Sequence, residues 1–348
     1  MIKAKTLNEL YSLSDSTTGK EMWTMVYGDD DYEKVSRKTN ESFVRYINPF
    51  TGKVRDKYAY TRHKCPLCDS KDFKFIFEKH GFDFEKCNKC DLIFTLQVLD
   101  LDKLPYMDDG TEGDYYGMSK DNQTIGERDK LKFSMIMDKI SKNLKIDDGL
   151  ARDKVKFNIF DFGSANGMFL DWADSENHSV IGHEFHNDLR KICEFKGHKM
   201  MSDDLETITF DKKFDIITCW DYIDHVHNPK KVIENLSKYL KDDGIFFFAI
   251  NNRDSLSARI LHEASPIFIG SQHHMNYGIK QLEMLMKGYK LVDVESYVSE
   301  LNWISNWCNF ENPEFGDSPL LHDVFDTKKL CELNMGFKLN AMFRKESK

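Results

Sequence analysis

Short apolar segments alternate with amphipathic segments from Phe157 onward, and this alternation predicts strands separated by helices. Apolar runs predict five strands, at 157–162, 179–184, 199–201, 214–220 and 245–250. One helix is predicted over 187–195, closed by Gly197, and another starts at Asn228-Pro229 and is ended by Gly244. Strands alternating with helices predict a parallel sheet covered on both faces. Two later strands, roughly 289–298 and 337–344, are expected to complete the sheet at one edge.

The part of the chain before Phe157 divides into smaller units. We assign residues 1–63 to an N-terminal arm, 64–98 to a small module, 99–126 to a linker, and 127–348 to the main domain with an insertion at 300–329. The linker is rich in Asp and Gly and contains Tyr115 and Tyr116. Apolar residues at helical spacing over 127–144 predict an amphipathic helix that leads into the main domain. A second helix is predicted late in the domain, over 279–287.

Two segments have an open interpretation. Residues 46–64 are locally basic and aromatic, which is typical of either a packing arm or a weak anion-binding surface, and we favour the arm. The insertion at 300–329 is rich in aromatic residues. We expect these residues either to form a lid or acceptor wall or to cover the edge of the sheet. Its aromatic residues are Trp303, Trp307, Phe310 and Phe315.

Composition narrows the class of protein. The chain has 348 residues, 41% of them apolar and 31% charged, which is typical of a globular protein with a sizeable core. The formal net charge of -9 argues against a nucleic-acid partner. The first twenty residues contain no apolar run of signal-peptide length, and the longest apolar stretch, 245–250, is too short to span a bilayer. We therefore expect a cytoplasmic protein without a membrane partner.

Four of the eight cysteines form two close pairs, Cys65/Cys68 and Cys87/Cys90, separated by eighteen residues. Two-residue gaps let thiolates converge on one ion, and four thiolates complete a tetrahedral zinc site. Phe residues alternate with polar ones between the pairs, which predicts short strands there. A closed site of four cysteines has no open position for water, so we expect a structural zinc. An iron–sulfur cluster or a redox pair is the weaker alternative.

Candidate binding residues follow the ends of the first three predicted strands, where ligands of open α/β sheets bind. The first strand is followed by a turn that contains Asp161, Gly163, Ala165 and Gly167. Glu184 ends the second strand, 23 residues after Asp161, where a carboxylate can accept both hydroxyls of a ribose. Either Asp203 or Asp204, after the third strand, is placed to accept from an adenine amine. Taken singly, the glycines are more typical of an ordinary strand-to-helix turn and Glu184 of a solvated strand end, whereas the order and spacing of the three sites together favour ligand binding.

The segment 214–229, Phe-Asp-Ile-Ile-Thr-Cys-Trp-Asp-Tyr-Ile-Asp-His-Val-His-Asn-Pro, is the most specific part of the sequence. Together with the features above and Leu240-Lys-Asp-Asp-Gly244, it resembles the class I S-adenosylmethionine methyltransferases over about 157–298. The resemblance implies a doubly wound, mostly parallel seven-stranded sheet. It also implies that the loop from Asp161 to Gly167 holds the methionine part of the cofactor, Glu184 the ribose and Asp203 or Asp204 the adenine. Trp220 or Asp221 would form the near wall.

Three positions depart from the family pattern. Ala165 stands where the family has its middle glycine, Asp224 replaces the usual Glu before His225, and Asp243 replaces a glycine before the fifth strand. Alanine is the smallest substitute for glycine, so we expect the domain to be active. The departures at Ala165 and Asp243 nevertheless leave open a non-catalytic, cofactor-binding scaffold whose zinc module docks a partner.

The acceptor and the base are expected by analogy. The four-cysteine module with a Tyr-Tyr linker resembles a subgroup associated with sugar and polysaccharide pathways, which implies a glycosyl or nucleotide-sugar acceptor. A sugar hydroxyl benefits from a positioned base, so we expect His225 or His274 in that role, with His273 third and Asp224 orienting His225. An RNA or DNA methyltransferase is the alternative, although the Trp220-Asp-Tyr-Ile segment lacks the Asn-Pro-Pro-Tyr or Asp-Pro-Pro-Tyr pattern of amino-methylating DNA enzymes.

Overall fold

The computed structural model describes residues 4–7, 9, 46–100, 103, 123–144, 155–298 and 325–346. The predicted Tyr115 and Tyr116 linker and the aromatic residues of the predicted insertion lie outside the described residues. Within the described chain, no helix is long and apolar enough to cross a bilayer.

The N-terminal module consists of five short strands. These are β1 (Ala59–Thr61), β2 (Phe73–Lys79), β3 (Phe82–Cys87), β4 (Ile93–Thr95) and β5 (Gln97–Leu99). Strand β1 pairs with β5 in a two-stranded sheet. Strands β2, β3 and β4 form an antiparallel meander, in which the predicted strands between the cysteine pairs are the first two. Phe84 and Phe94 are both buried in this sheet, and Phe84 alternates with the charged residues Asp83 and Glu85.

The main domain begins with helix α1 and alternates strands and helices as the hydrophobic pattern predicted. The helices are α1 (Gln123–Asn143), α2 (Met168–Ser175), α3 (Asn187–Phe195), α4 (Pro229–Leu236), α5 (Leu256–Leu261), α6 (Ile279–Leu285) and α7 (Thr327–Glu332). The strands are β6 (Asn158–Phe162), β7 (Ser179–His183), β8 (Met200–Met201), β9 (Phe214–Trp220), β10 (Leu240–Asn251), β11 (Met275–Asn276), β12 (Tyr289–Tyr297) and β13 (Lys338–Lys345).

Seven strands form the main sheet in the order β12-β13-β10-β9-β6-β7-β8. The pairs from β10 to β8 are parallel, whereas β13 is antiparallel to both of its neighbours. The predicted doubly wound, mostly parallel seven-stranded fold is therefore confirmed. The chain moves to one side of β6 through β7 and β8 and then returns to the other side with β9. The carboxyl ends of β6 and β9 thus lie at the switch point, where ligands of such sheets bind.

The central strand β10 shows why a continuous apolar run forms a strand here. Phe246 and Phe248 pack into the core on one face of the sheet, while Ile245, Phe247 and Ala249 pack into the core on the other. Both faces are covered, so the sequence has no polar alternation. The central part of the strand is consequently excluded from water.

The prediction that Gly244 ends the helix that starts at Asn228-Pro229 was wrong. Helix α4 ends at Leu236, and β10 begins at Leu240 with an irregular register between Leu240 and Ile245. Gly244 lies inside the strand, where a Cβ atom would come within 2.9 Å of the Asp215 carbonyl oxygen. A close backbone approach, and not a helix end, explains the glycine at this position. Asp243, which departs from the family pattern, is exposed in this irregular segment.

The module and the main domain are joined by backbone pairing. Strand β11, which follows the His273-His274 pair, adds to the meander as a fourth strand, with Met275 opposite Phe94. Cys65, Phe94, Met275 and Tyr277 share one buried core. The module is thus packed onto the domain at the place where histidines were predicted to act.

Candidate active site

The loop after β6 has a left-handed backbone at three positions. Gly163, Ala165 and Gly167 have positive φ angles of 79°, 48° and 81°. A Cβ atom on Gly163 would lie 2.2 Å from the Tyr222 ring, so that ring packs directly on the glycine. Alanine tolerates a left-handed conformation at a cost of about 1–2 kcal/mol. Ala165 therefore keeps the loop geometry expected of a glycine at this position.

Glu184 lies against this loop, as the sequence predicted. Its Oε2 accepts a hydrogen bond from the Ala165 backbone N–H at 2.9 Å, and its Oε1 accepts from the His186 N–H at 2.8 Å. The side chain is buried, with 6% of its surface exposed. A carboxylate has about four acceptor positions and can accept several hydrogen bonds at once. The structure thus brings the loop and Glu184 into direct contact.

Asp161, at the end of β6, is almost completely buried beneath the loop. Its Oδ1 accepts from the Thr218 hydroxyl at 2.7 Å, while its Oδ2 is shielded from water and has no hydrogen-bond partner. Burial raises the pKa of the Asp161 carboxyl to about 6, against the lowering effect of the Thr218 and Ser164 hydrogen bonds. An unpartnered carboxylate oxygen of this kind is suited to a cationic group of a ligand.

The two candidate aspartates after β8 differ in their hydrogen bonds. The Asp204 carboxylate accepts from the Glu206 N–H at 2.9 Å and closes a local turn. Asp203 is exposed, and its backbone carbonyl accepts from the buried His183 ring at 2.9 Å. This contact fixes the backbone of Asp203 beside the end of β7. Of the two, Asp203 has the carboxylate that is not part of the local turn.

Trp220 and Asp221, the two candidates for the near wall of the predicted cofactor site, contact residues outside the loop after β6. The Trp220 ring packs between Phe133, Phe169 and Phe247, with centroid distances of 4.9, 5.1 and 4.6 Å. Asp221 has a φ of 52° and forms an ion pair with Lys338 at 2.6 Å. The residue that packs on the loop is instead Tyr222, which the sequence reasoning missed. Its position two residues after the strand end, among polar residues, was the available signal.

The turn after β9 carries a carboxylate between two histidines. Asp224 is buried, with Oδ1 3.8 Å from Nε2 of His225 and Oδ2 3.8 Å from Nε2 of His273. Nδ1 of His273 donates to the Ile267 carbonyl at 2.7 Å, so its Nε2 is an acceptor in the neutral ring. Ligand atoms of these three residues all lie within 4.8 Å of one another, a spacing that suits a proton or a cation.

A row of aromatic rings leads from the loop toward the module. The Tyr222 ring lies 5.7 Å from His225, and His225 lies 5.1 Å from His273. His274, on the other side of this pair, contacts His227 with a centroid distance of 4.9 Å. Burial lowers the pKa of His225 and of His227 to about 4, and it also lowers the pKa of His274 well below its usual value. These three rings are therefore neutral near pH 7.

The four paired cysteines converge as their spacing predicted. The Sγ atoms of Cys65 and Cys90 are 3.5 Å apart, as are those of Cys68 and Cys87, and all four lie within 4.8 Å of one another. A tetrahedral zinc with bonds of about 2.3 Å separates its sulfurs by about 3.8 Å. The donor set and its spacing therefore suit a structural zinc.

The two cysteine knuckles have the same backbone geometry. Asp69 and Asp91 follow the second cysteine of each pair with φ angles of 59° and 61°. Each donates its N–H to the carbonyl of the first cysteine at 3.0 Å. Lys230 pairs with Asp69, and Lys280 pairs with Asp91 at 2.7 Å, so lysines of the main domain hold both knuckles. The metal site is thus part of the contact between module and domain.

Part of the main domain is similar to known proteins. Residues 131–296 match the model of a family described as a methyltransferase domain. The match begins within α1 and ends within β12, and it covers just under half of the chain.

Individual relatives cover the domain only in part. The chain is 32% identical over 107 residues to a ubiquinone biosynthesis O-methyltransferase of Actinobacillus pleuropneumoniae serotype 7, and 34% identical to one of Glaesserella parasuis serovar 5. Each match covers 31% of this chain and 39% of the relative, so the chain spans well under half the length of these relatives. A solved S-adenosylmethionine-dependent methyltransferase from Archaeoglobus fulgidus has a TM-score of 0.43 and 17% identity, covering 63% of this chain and 94% of its own.

We expect the substitution Cys90→Ser to reduce zinc content from one ion per chain to a small fraction of that value, because three thiolates bind the ion less tightly than four. The melting temperature should fall as well, since the knuckles hold the module against the domain. Metal analysis and thermal unfolding measure both effects. Cys331→Ser, in α7, serves as the control and should keep its zinc. Full zinc occupancy in the Cys90 variant would contradict the site.

We expect Asp161→Asn to change how stability depends on pH. The folded pKa of Asp161, about 6, lies above the unfolded value of about 3.9, so ionisation destabilises the fold. This contribution is fully present below pH 4 and is lost as pH rises through 6. Relative to the variant, the wild-type protein should thus gain up to about 3 kcal/mol on acidification. Denaturant unfolding between pH 4 and 7.5 measures the difference, and parallel profiles would refute the assignment.

Proposed function

We propose that the protein is an S-adenosylmethionine-dependent methyltransferase that methylates a hydroxyl of a small polar acceptor, a sugar or nucleotide-sugar, with His225 as general base. The observation that carries the proposal is the 2.9 Å hydrogen bond between the Ala165 N–H and Glu184. It joins the loop after β6 to the carboxylate after β7 at the switch point of the sheet. The turn that carries His225 follows the neighbouring strand β9.

The residues present suit the cofactor. The unpartnered Oδ2 of Asp161 matches the ammonium group of the methionine part, and the remaining acceptor capacity of Glu184 matches the ribose hydroxyls. Asp203 has an exposed carboxylate for the adenine amine. The loop with Gly163, Ala165 and Gly167 presents its backbone to the ligand. Because Ala165 keeps its hydrogen bond to Glu184, this departure from the family pattern gives no support to a degenerate scaffold.

The bound cofactor supplies a methyl group activated by the sulfonium. His225 binds the acceptor hydroxyl and takes its proton as the hydroxyl oxygen attacks. Burial lowers the pKa of His225 to about 4, so the ring is neutral before the reaction, and the nearby Asp224 carboxylate acts in the opposite direction and favours protonation. With its hydrogen on Nε2 facing Asp224, the ring keeps the Nδ1 lone pair for the acceptor. The Asp224 carboxylate, 3.8 Å away, then stabilises the imidazolium.

Contacts favour His225 over His274 as the base. His225 is connected to the loop through a single ring, Tyr222, which packs on Gly163. His274 is buried, with its backbone carbonyl bonded to Thr95 of the module. We therefore assign His225 to proton transfer and place His274 in the wall toward the module.

The acceptor class rests on three supports. The relatives named above are O-methyltransferases by name, which favours a hydroxyl acceptor. The cysteine module favours a glycosyl or nucleotide-sugar compound by resemblance. The net charge of -9 weighs against a nucleic acid.

Titration calorimetry of the zinc-loaded protein with S-adenosylhomocysteine tests the cofactor site. We expect Glu184→Ala to weaken binding at least about tenfold, because two ribose hydroxyls lose a charged acceptor. Glu194→Ala, on the exposed face of α3, is the matched control and should bind normally. Glu184→Gln guards against misfolding, since it keeps one acceptor oxygen. Absence of binding to the wild-type protein would overturn the proposal.

A methyl-transfer screen against nucleotide-sugars, free glycans and RNA, read by the mass of the product, tests the reaction. With an accepted substrate, His225→Ala should reduce kcat about 100-fold to 10,000-fold, the usual contribution of a general base. His274→Ala should have a smaller effect on kcat, and both variants should still bind S-adenosylhomocysteine. Undiminished turnover in the His225 variant would refute the assignment. So would strict dependence on an added divalent cation held by Asp224, His225 and His273.

A further inference from the structure

Arg62 precedes the zinc module and lies against the backbone of His227. Its Nη1 and Nη2 donate to the His227 carbonyl at 3.4 Å, a long contact for a guanidinium. Its Nε is shielded from water and has no partner. Among the described residues, no carboxylate forms an ion pair with it. A shielded cation of this kind is costly unless an anion binds it.

Two further buried polar side chains in this part of the structure also lack partners. The Thr95 hydroxyl and Nδ1 of His274 are both buried without a hydrogen bond. The pairing of β11 with β4 places these two residues opposite each other, since Met275 faces Phe94 and the Thr95 N–H donates to the His274 carbonyl. Paired residues project on the same face of a sheet. The backbone N–H of Arg62 donates to the Leu96 carbonyl, directly after Thr95.

These residues continue the row that starts at the loop. The His274 ring contacts the His227 ring, and the Tyr60 ring packs edge-on against His227 with 6.0 Å between the ring centroids. The backbone carbonyl of His227 accepts a hydrogen bond from the Arg62 guanidinium. The row runs from Gly163 through Tyr222 and His225 to His273 at one end. Arg62 stands at the other end, on the module side of the domain.

We propose that Arg62, with the Thr95 hydroxyl and His274, forms an oxyanion subsite for the methyl acceptor, so that the acceptor carries a phosphate or a carboxylate. This inference rests on the proposed function, because it assigns the far end of the acceptor site. A guanidinium binds either group in a bidentate manner, and a hydroxyl supplies a further donor. The zinc module then has a role in substrate binding in addition to stabilising the fold.

The competing interpretation is that Arg62 balances the charge of the zinc–thiolate cluster, since it lies three residues before Cys65. A zinc ion with four thiolates carries a net charge of about -2. In that case Arg62 would affect zinc binding and would have no effect on oxyanions. The two interpretations therefore differ in a measurable way.

Calorimetry of the zinc-loaded, full-length protein saturated with S-adenosylhomocysteine tests the subsite with three probes: phosphate, pyrophosphate and acetate. We expect at least one probe to bind, and Arg62→Gln to weaken that binding about tenfold to a hundredfold. Tighter binding of phosphate or pyrophosphate would assign a phosphorylated acceptor, whereas tighter binding of acetate would assign a carboxylate. Arg259→Gln, an exposed arginine in α5, is the control and should bind the probes normally.

Zinc content and S-adenosylhomocysteine affinity are measured on each variant. The proposal requires both to be unchanged in Arg62→Gln. Equal probe binding by the wild type and this variant would overturn the subsite, as would loss of zinc from the variant or failure of all three probes to bind. A wild-type protein that does not bind S-adenosylhomocysteine would instead refute the proposed function, so the two failures are distinguishable.

Discussion

The arrangement of the candidate site depends on the contact between the Glu184 carboxylate and the loop that contains Ala165. One oxygen accepts the Ala165 N–H and the other accepts the His186 N–H, so the ends of β6 and β7 are held together. The left-handed backbone of Ala165 is retained through this contact. Because the carboxylate is buried and already oriented, a ligand binding there would not have to order it.

The module and the main domain are joined by β11, a strand of the main domain that pairs with β4 in the module sheet. Strand β11 adds to the module sheet, and the carbonyl of Asp224 accepts from the Met275 N–H at 3.3 Å. The turn with Asp224 and His225 is therefore fixed to the same strand that fixes His274 beside Thr95. Lys230 and Lys280 of the main domain form ion pairs with the two cysteine knuckles. The four-cysteine cluster therefore also lies at the contact between the module and the main domain.

Several features could be read from the sequence because each depends on local pattern. The strands of the main sheet follow from runs of apolar residues, and the cysteine pairs follow from their two-residue gaps. The position of Glu184 follows from its place after a strand. Gly244 shows the limit of this approach. A glycine after an amphipathic stretch is typical of a helix end, and only the neighbouring Asp215 carbonyl reveals its actual role in β10.

By itself, the sequence determined the fold class, the cluster of four cysteines and the strand ends that carry polar residues, since all of these depend on spacing along the chain. The tertiary structure alone decided that Tyr222 packs on Gly163, that Trp220 is enclosed by Phe133, Phe169 and Phe247, and that Arg62 faces His227. Arg62 and His227 are separated by 165 positions. Contacts over such distances depend on the order of strands and on how the module docks, which no local pattern specifies.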